Sequence, residues 1–92
     1  MLFRSPTDPT RTLLVAVYVS PSHRGGAALA AMIDAAAAWS RENGRPTLEL
    51  EVVTTNARAA RAYRKLGFVP EGEPVPHPTI ATMRERVMTR PA

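Results

Sequence analysis

Apolar residues form an unbroken run near the start of the chain. Residues 13–19 are all aliphatic or aromatic, and Pro21 ends the run. A continuous apolar run is typical of a strand that is buried on both faces. The pattern therefore predicts a first strand over 13–19, central in its sheet. Residues 1–12, which contain Pro6 and Pro9, are predicted to be an irregular lead-in, with no element over 1–10.

The spacing of apolar residues then changes to that of a helix. From residue 27 to about residue 43, apolar side chains recur every three or four positions, as at Leu29, Met32, Ile33 and Ala36. Gly44 is expected to end this helix, because glycine adopts the left-handed conformation of a helix end without strain. Trp39 is expected to lie in the core.

A stretch of strict alternation predicts a second strand over 47–53. Leu48, Leu50 and Val52 alternate there with other side chains, which gives the strand one strongly apolar face. A strand, a helix and a second strand form a crossover, so the two strands are expected to be parallel. A second helix is predicted over 57–66, with Asn56 as its N-cap and Gly67 as its stop.

The last third of the chain carries weaker patterns. Phe68 and Val69 resume an extended path, and four prolines between residues 70 and 78 predict a loop, since proline cannot donate a ladder hydrogen bond. A short strand is predicted over 85–89. The expected fold is thus a mixed α/β sheet in one domain over residues 13–90, with the order strand, helix, strand, helix, strand and a further short strand.

Composition narrows the function classes. The chain has 92 residues, enough for one domain, and its 45% hydrophobic and 22% charged residues are ordinary for a globular protein. No cysteine and only two histidines make a structural metal improbable, so we expect none. The start lacks the apolar segment of a signal peptide and no run is long enough to cross a bilayer, so a cytoplasmic protein without membrane contact is expected.

A glycine turn joins the first strand to the first helix. Arg24, Gly25 and Gly26 stand just before the helix, where free backbone N–H groups, the helix dipole and one positive charge suit a pyrophosphate. Neither the Gly-Lys-Ser/Thr ending of a P-loop nor the third glycine of a dinucleotide-binding fingerprint is there. A tight turn that only joins two elements explains the same glycines, so both interpretations stay open.

Asn56 and Tyr63 form a second candidate pair. They are seven residues apart, two helical turns, and so lie along one helix face where both polar tips can meet one ligand. A phenol at such a place can donate a proton to a departing thiolate. An N-cap and a half-buried aromatic anchor are the structural alternative for the same two residues.

Taken together, these segments resemble one family. The order Val-Tyr-Val-Ser-Pro-Ser-His-Arg-Gly-Gly, an amphipathic helix, Leu-Glu-Leu-Glu-Val-Val-Thr-Thr-Asn and Ala-Arg-Ala-Tyr-Arg-Lys-Leu-Gly-Phe is similar to the acetyl-CoA-binding half of GNAT N-acetyltransferases. The resemblance covers about residues 13–72. It implies an enzyme that moves an acetyl group from acetyl-CoA to a primary amine, without a metal, and leaves the amine acceptor unidentified.

The resemblance also implies roles for individual residues. Asn56 would contact the cofactor near its pantetheine, and Tyr63 would be the catalytic general acid toward the CoA thiolate. The main chain of the first strand would pair with the pantetheine arm at Val17, Tyr18 and Val19. The CoA pyrophosphate would lie on the backbone amides of Arg24, Gly25, Gly26, Ala27, Ala28 and Leu29. The family usually has glycine at the position of Ala27 and a small residue at that of Leu29, so amides there would approach phosphate past a Cβ atom.

Other polar residues receive weaker interpretations. Glu49 and Glu51 are candidates for the general base, although solvated or salt-bridged strand carboxylates are the simpler interpretation. His77 is expected to be a loop histidine. The second helix carries a basic surface formed by Arg58, Arg61, Arg64 and Lys65. Two interpretations of this basic helix surface stay open: a contact for the 3′-phosphate of CoA, and a solvated face.

By the same resemblance, the first half of the family's fold is absent. The first strand would then leave one flank of the sheet open, which invites a homodimer or another partner chain that completes it. Two alternatives to the enzyme follow: an inactive chain that binds CoA or pairs with another chain, and a small basic nucleic-acid-binding module. With a net charge of +4 but few aromatic residues, the chain offers little for base stacking, so nucleic acid is the remote alternative.

Overall fold

The computed structural model describes residues 2–4, 8–15 and 27–92. Five strands form one mixed sheet, and two helices complete the described architecture. The elements are β1 (Leu2–Arg4), β2 (Arg11–Leu14), α1 (Ala27–Glu42), β3 (Thr47–Val53), α2 (Ala57–Lys65), β4 (Val69–Pro76) and β5 (Arg84–Pro91). The strand order is β1-β2-β3-β5-β4.

The pairing of the strands follows the predicted crossover. β2 and β3 are parallel, with Arg11 opposite Thr47 and Leu14 opposite Leu50. The other three pairs, β1 with β2, β3 with β5 and β4 with β5, are antiparallel. The predicted mixed α/β sheet is therefore confirmed, and β2 has a neighbour on each side, as a central strand must.

One face of the sheet carries both helices and the core. Side chains of β3 alternate between the two faces, and Leu48, Leu50 and Val52 are buried on the helix-bearing face. α1 contributes Ile33, Ala36 and Ala37, while Met32, expected on the same face, is exposed. α2 packs four residues against the same cluster: Ala59, Ala60, Tyr63 and Leu66. The buried cluster consists of Leu14, Ile33, Ala36, Ala37, Leu48, Leu50, Val52, Phe68 and Met88.

Buried polar groups tie α1 to the sheet. The hydroxyl of Ser40, near the C-terminus of α1, donates to the carbonyl of Arg45 at 2.7 Å and lies 2.7 Å from the Thr12 hydroxyl on β2. Since the one proton of Ser40 goes to the carbonyl, Thr12 donates to Ser40. Gly44, with φ of +71°, then turns the chain toward β3 as predicted.

The prediction for the start of the chain was wrong in two respects. Leu2–Arg4 forms β1 rather than part of an irregular lead-in, and it pairs with β2 on the flank that was expected to be open. β2 begins at Arg11, two residues before the predicted start, and Val15 already lies outside it; residues 16–19 fall outside the described residues. An antiparallel neighbour supplies the hydrogen bonds that allow these polar segments to be strands.

The proline-rich segment was also predicted wrongly. Val69–Pro76 is not a loop but β4, and its partner β5 runs from Arg84 to Pro91 rather than over 85–89. β4 is the outermost strand on its side, where prolines are tolerated because one edge makes no ladder bonds. The register breaks between Glu71 and Val75, which accommodates Pro74.

Trp39 departs from its predicted place in the core. The residue is 36% exposed, and the Arg45 guanidinium lies over its ring at 5.4 Å from the centroid. Because Trp39 is next to the buried Ser40 on a helix, it is rotated by about 100° away from the sheet.

Candidate functional site

β3 extends three residues beyond its described pairing with β2. Their register ends at Leu14 and Leu50, and among the described residues Glu51, Val52 and Val53 are paired only with β5. The carboxyl ends of parallel strands are where open α/β sheets bind their ligands. A ligand-binding site is therefore expected at this edge of the sheet.

The N-terminus of α1 lies at the same edge. The helix runs back along the sheet, because its C-terminal Ser40 meets Thr12 near the start of β2. Its first residues, Ala27, Ala28 and Leu29, are at the opposite end, beside the carboxyl ends of β2 and β3. The N–H groups of a first helical turn have no partner within the helix and carry the positive end of its dipole.

α2 begins at this edge as well. β3 ends at Val53, and Asn56 caps the helix by accepting a hydrogen bond from the Ala59 N–H at 3.1 Å through its Oδ1. The cap predicted for Asn56 is thus confirmed. The Nδ2 group of this amide is left to donate hydrogen bonds to a ligand.

Neither helix neutralises its positive end. The first turns of α1 and of α2 contain no acidic residue. Two helix N-termini therefore converge on one edge of the sheet with their favourable field for an anion intact.

Tyr63 lies two turns into α2. Its ring is half-buried and meets the Phe68 ring edge to face, with centroids 5.8 Å apart and planes at 71°. Burial raises the pKa of the Tyr63 phenol above its usual value of 10.0. The group is thus a neutral phenol at physiological pH, as a proton donor must be.

The structure brings together only part of the predicted site. It places Ala27, Ala28, Leu29 and Asn56 at one edge of the sheet, with Tyr63 further along α2. Six predicted cofactor-binding residues lie outside the described residues: Val17, Tyr18, Val19, Arg24, Gly25 and Gly26.

The opposite side of the sheet carries a group of carboxylates that we call the glutamate face, formed by Glu49, Glu51 and Glu85. Glu49 is buried and lies 3.6 Å from the Arg11 guanidinium, so its predicted salt bridge is confirmed. Much of Glu51 is exposed, yet partial burial of its carboxyl raises its pKa, and the charge of Glu85, with which it shares a hydrogen bond, raises it further. Sequence reasoning missed Glu85, although its register opposite Val53 follows from the alternation of β5.

The structure also describes His77 and the basic helix surface. The Nδ1 atom of His77 accepts hydrogen bonds from the N–H groups of Thr79 and Ile80, both at 3.1 Å, so this histidine stabilises the turn after β4. All four residues of the basic helix surface are exposed: Arg58, Arg61, Arg64 and Lys65.

The described residues contain no group of three or more side chains suited to hold a metal ion. Nor does any described helix have the length and apolar character needed to cross a membrane.

This architecture, a mixed sheet in which two helices begin at the carboxyl edge of a parallel strand pair, defines an α/β protein. The profile of the Acetyltransferase (GNAT) family matches residues 1–68. The chain belongs to this family, and the resemblance read from its motifs is confirmed.

Individual relatives agree. Streptothricin acetyltransferase of Streptomyces lavendulae is 42% identical over 52 residues, 56% of this chain and 28% of that protein. The crystal structure of nourseothricin acetyltransferase superposes with a TM-score of 0.85 at 29% identity, covering 98% of this chain and 54% of that one. A GCN5-related N-acetyltransferase from Kribbella flavida gives 0.74 at 26% identity, covering 99% and 57%. The chain thus spans about half the length of these solved structures.

Proposed function

We propose that this chain forms the acetyl-CoA site of an N-acetyltransferase that acetylates a primary amine. The observation that carries the proposal is that α1 and α2 both begin at the carboxyl edge of β2 and β3 without an acidic residue in the first turn, with a half-buried neutral phenol on the second helix. The pyrophosphate of CoA is the anion that fits such an edge in a GNAT protein.

Different residues would bind different parts of acetyl-CoA. The first-turn amides of α1, at Ala27, Ala28 and Leu29, would receive the pyrophosphate together with the preceding glycine turn. The Nδ2 group of Asn56 would donate to the amide carbonyls of the pantetheine arm. Val17, Tyr18 and Val19 would align that arm through their main chain, next to the β3 residues that lack a described partner on this side.

Tyr63 would act in the chemical step. Acetyl-CoA supplies a thioester. An amine nitrogen attacks its carbonyl carbon, gives up a proton to solvent and forms the amide bond as the C–S bond breaks and a thiolate leaves. The Tyr63 phenol would give its proton to that thiolate, which prevents the reverse attack. Its raised pKa favours the protonated form that this role requires.

For the acceptor, we propose an amine of a streptothricin-type antibiotic. The support is that a streptothricin acetyltransferase is similar in sequence and a nourseothricin acetyltransferase is similar in structure at 29% identity. Spermidine N-acetyltransferases share the fold at 22% identity, which supports the fold alone.

Calorimetric titration with acetyl-CoA tests the binding site. Arg24→Ala is expected to weaken binding and Tyr63→Phe to leave it nearly unchanged. Arg41→Ala is the matched control, because it removes the same charge from the last turn of α1, at the far end of that helix. A folded chain that does not bind acetyl-CoA, or that loses binding equally in Arg24→Ala and Arg41→Ala, would contradict the proposal.

Release of free thiol tests the reaction. Streptothricin is expected to support turnover that Tyr63→Phe lowers by about 10²-fold or more, and spermidine serves as the comparison amine. Binding without turnover on either amine would assign the alternative role of a CoA-binding chain without catalysis. Turnover on spermidine alone would refute the proposed acceptor while retaining the enzyme class.

A further inference from the structure

A cavity lies between α2 and β4. Its volume is about 230 Å³, and neither Asn56 nor Tyr63 lines it. Its floor is formed by β3 and β5 on the helix-bearing face, α2 gives one wall and β4 gives the other. The side chains that line it include Val52, Arg64, Pro70, Pro74, Arg86 and Met88.

The floor of the cavity contains a guanidinium with an unsatisfied donor. Arg86 sits opposite Val52 in the register of β3 and β5, and so points to the helix-bearing face. Its Nε atom is buried and has no hydrogen-bond partner among the described residues. Buried polar atoms without a partner are rare in folded proteins and indicate a water, an ion or a ligand.

A second positive charge stands at the rim. Arg64, on α2, also lines the cavity, and it is exposed. No described residue that lines the cavity is acidic. Two guanidinium groups without a carboxylate between them leave the cavity with an uncompensated positive charge, which favours an anion.

The shape of the donor and the character of the walls select among anions. The Nε–H and a neighbouring Nη–H of arginine form a planar fork that fits the two oxygens of a carboxylate. Val52, Met88, Pro70 and Pro74 surround this fork with apolar surface. Phosphate would pair with the positive charge, but it has no apolar body, so the apolar walls of the cavity would remain in contact with water.

We infer that this cavity binds a small carboxylate with an apolar body, its carboxylate on the Nε edge of Arg86 and its body against Val52, Met88 and the two prolines. The cavity volume of about 230 Å³ is enough for a ligand of several non-hydrogen atoms. Neither Asn56 nor Tyr63 lines this cavity, whereas Val52 and Val53, at the carboxyl end of β3, do.

Titration of the whole chain with isocaproate, followed by amide NMR, tests this site. Saturable shifts are expected at Val52, Arg86 and Met88 with a dissociation constant of about 1 mM or tighter. Isocaproamide, the neutral analogue, and inorganic phosphate are each expected to bind at least about tenfold more weakly, because a charge-assisted hydrogen bond or the apolar contact is lost.

Variants separate the fork from simple charge. Arg86→Gln is expected to weaken isocaproate binding by about tenfold or more, and Arg86→Lys, which keeps the charge, to restore only part of it. Arg64→Gln changes an exposed residue and tests the rim without disturbing the floor. The control is Arg61→Gln, one turn before on the same helix and outside the cavity. Absence of saturable shifts, equal binding of the amide, or equal losses in Arg64→Gln, Arg86→Gln and Arg61→Gln would overturn the inference.

Discussion

Arg11 and Glu71 form a two-pronged ion pair, with Nη1 to Oε2 at 2.6 Å and Nη2 to Oε1 at 2.8 Å. Their strands, β2 and β4, are separated in the sheet by β3 and β5. Three strand spacings amount to about 14 Å in a flat sheet, and the register sets the two residues apart along the strands as well. The sheet must therefore twist and curve around its glutamate face to bring these side chains into contact.

The first prediction concerns this ion pair. Glu71→Gln is expected to lower the free energy of unfolding by less than about 1 kcal/mol, since the pair is partly exposed to solvent. The hydrogen bonds from Arg11 lower the pKa of Glu71. A lowered folded-state pKa contributes stability above the usual value of 4.5, and that contribution is lost as the pH falls through the lowered pKa.

Urea denaturation at pH 7 and at pH 3 measures this difference. The gap between the wild-type chain and Glu71→Gln should narrow at the lower pH. Glu73→Gln, at an exposed position of the same strand, is the control and should leave stability nearly unchanged. A gap that is the same at both pH values would mean that Glu71 stabilises the sheet by packing rather than by charge.

The second prediction concerns the pH dependence of the proposed reaction. Because burial raises the pKa of Tyr63 above 10.0, the phenol is mostly protonated below pH 10. Activity should therefore rise with pH as the acceptor amine is deprotonated, and a fall due to Tyr63 should begin only above pH 10. A kcat profile that falls between pH 8 and 9 while the circular dichroism spectrum is unchanged would contradict the role of this phenol.

The third prediction separates the two roles of Asn56. Asn56→Ala removes the acceptor for the Ala59 N–H and should cost about 1 kcal/mol of stability. Asn56→Ser keeps an N-cap oxygen but lacks the Nδ2 donors, so stability should be nearly retained while acetyl-CoA binding weakens. Thermal unfolding and calorimetric titration of both variants provide the test. If Asn56→Ser binds acetyl-CoA as tightly as the wild-type chain, Asn56 is a cap alone.

The fourth prediction concerns the polar link between α1 and β2. Ser40→Ala removes both the acceptor of Thr12 and the donor to the Arg45 carbonyl, so it should cost about 1–3 kcal/mol. Thr12→Val removes a donor but leaves Ser40 bonded to its carbonyl, so its cost should be smaller. Chemical denaturation of the two variants gives the comparison. Equal losses would show that the hydroxyl pair acts as one unit and that the carbonyl contact adds nothing.

The parts of the fold that sequence predicted well are those set by local chemistry. Helix α1 carries a clear period of apolar residues and ends at Gly44, and Asn56 has the side chain that caps a helix. The alternation of Leu48, Leu50 and Val52 fixed the buried face of β3, because strand side chains point to opposite faces in turn.

The wrong predictions depended on neighbours that lie far away in sequence. Nothing local shows that Leu2–Arg4 finds a partner at Thr12–Leu14, or that the prolines of β4 fall at a sheet edge where they are tolerated. Arg11 and Glu71 are 60 residues apart, so their contact could not be read from spacing. Asn56 and Tyr63 could be predicted as a pair from the sequence, because their spacing of seven residues puts them on one face of a helix.

β3 is expected to be the last strand to lose its hydrogen bonds when the chain unfolds. It is paired with β5 along its length and with β2 over four residues, α1 packs against it, and Leu48 and Leu50 are almost wholly shielded from water. β1, with three residues, and β4, with its broken register, can detach without disturbing it. In deuterated water, amides of β3 should therefore exchange last, at the rate of whole-chain unfolding, while those of the two outer strands exchange through local opening.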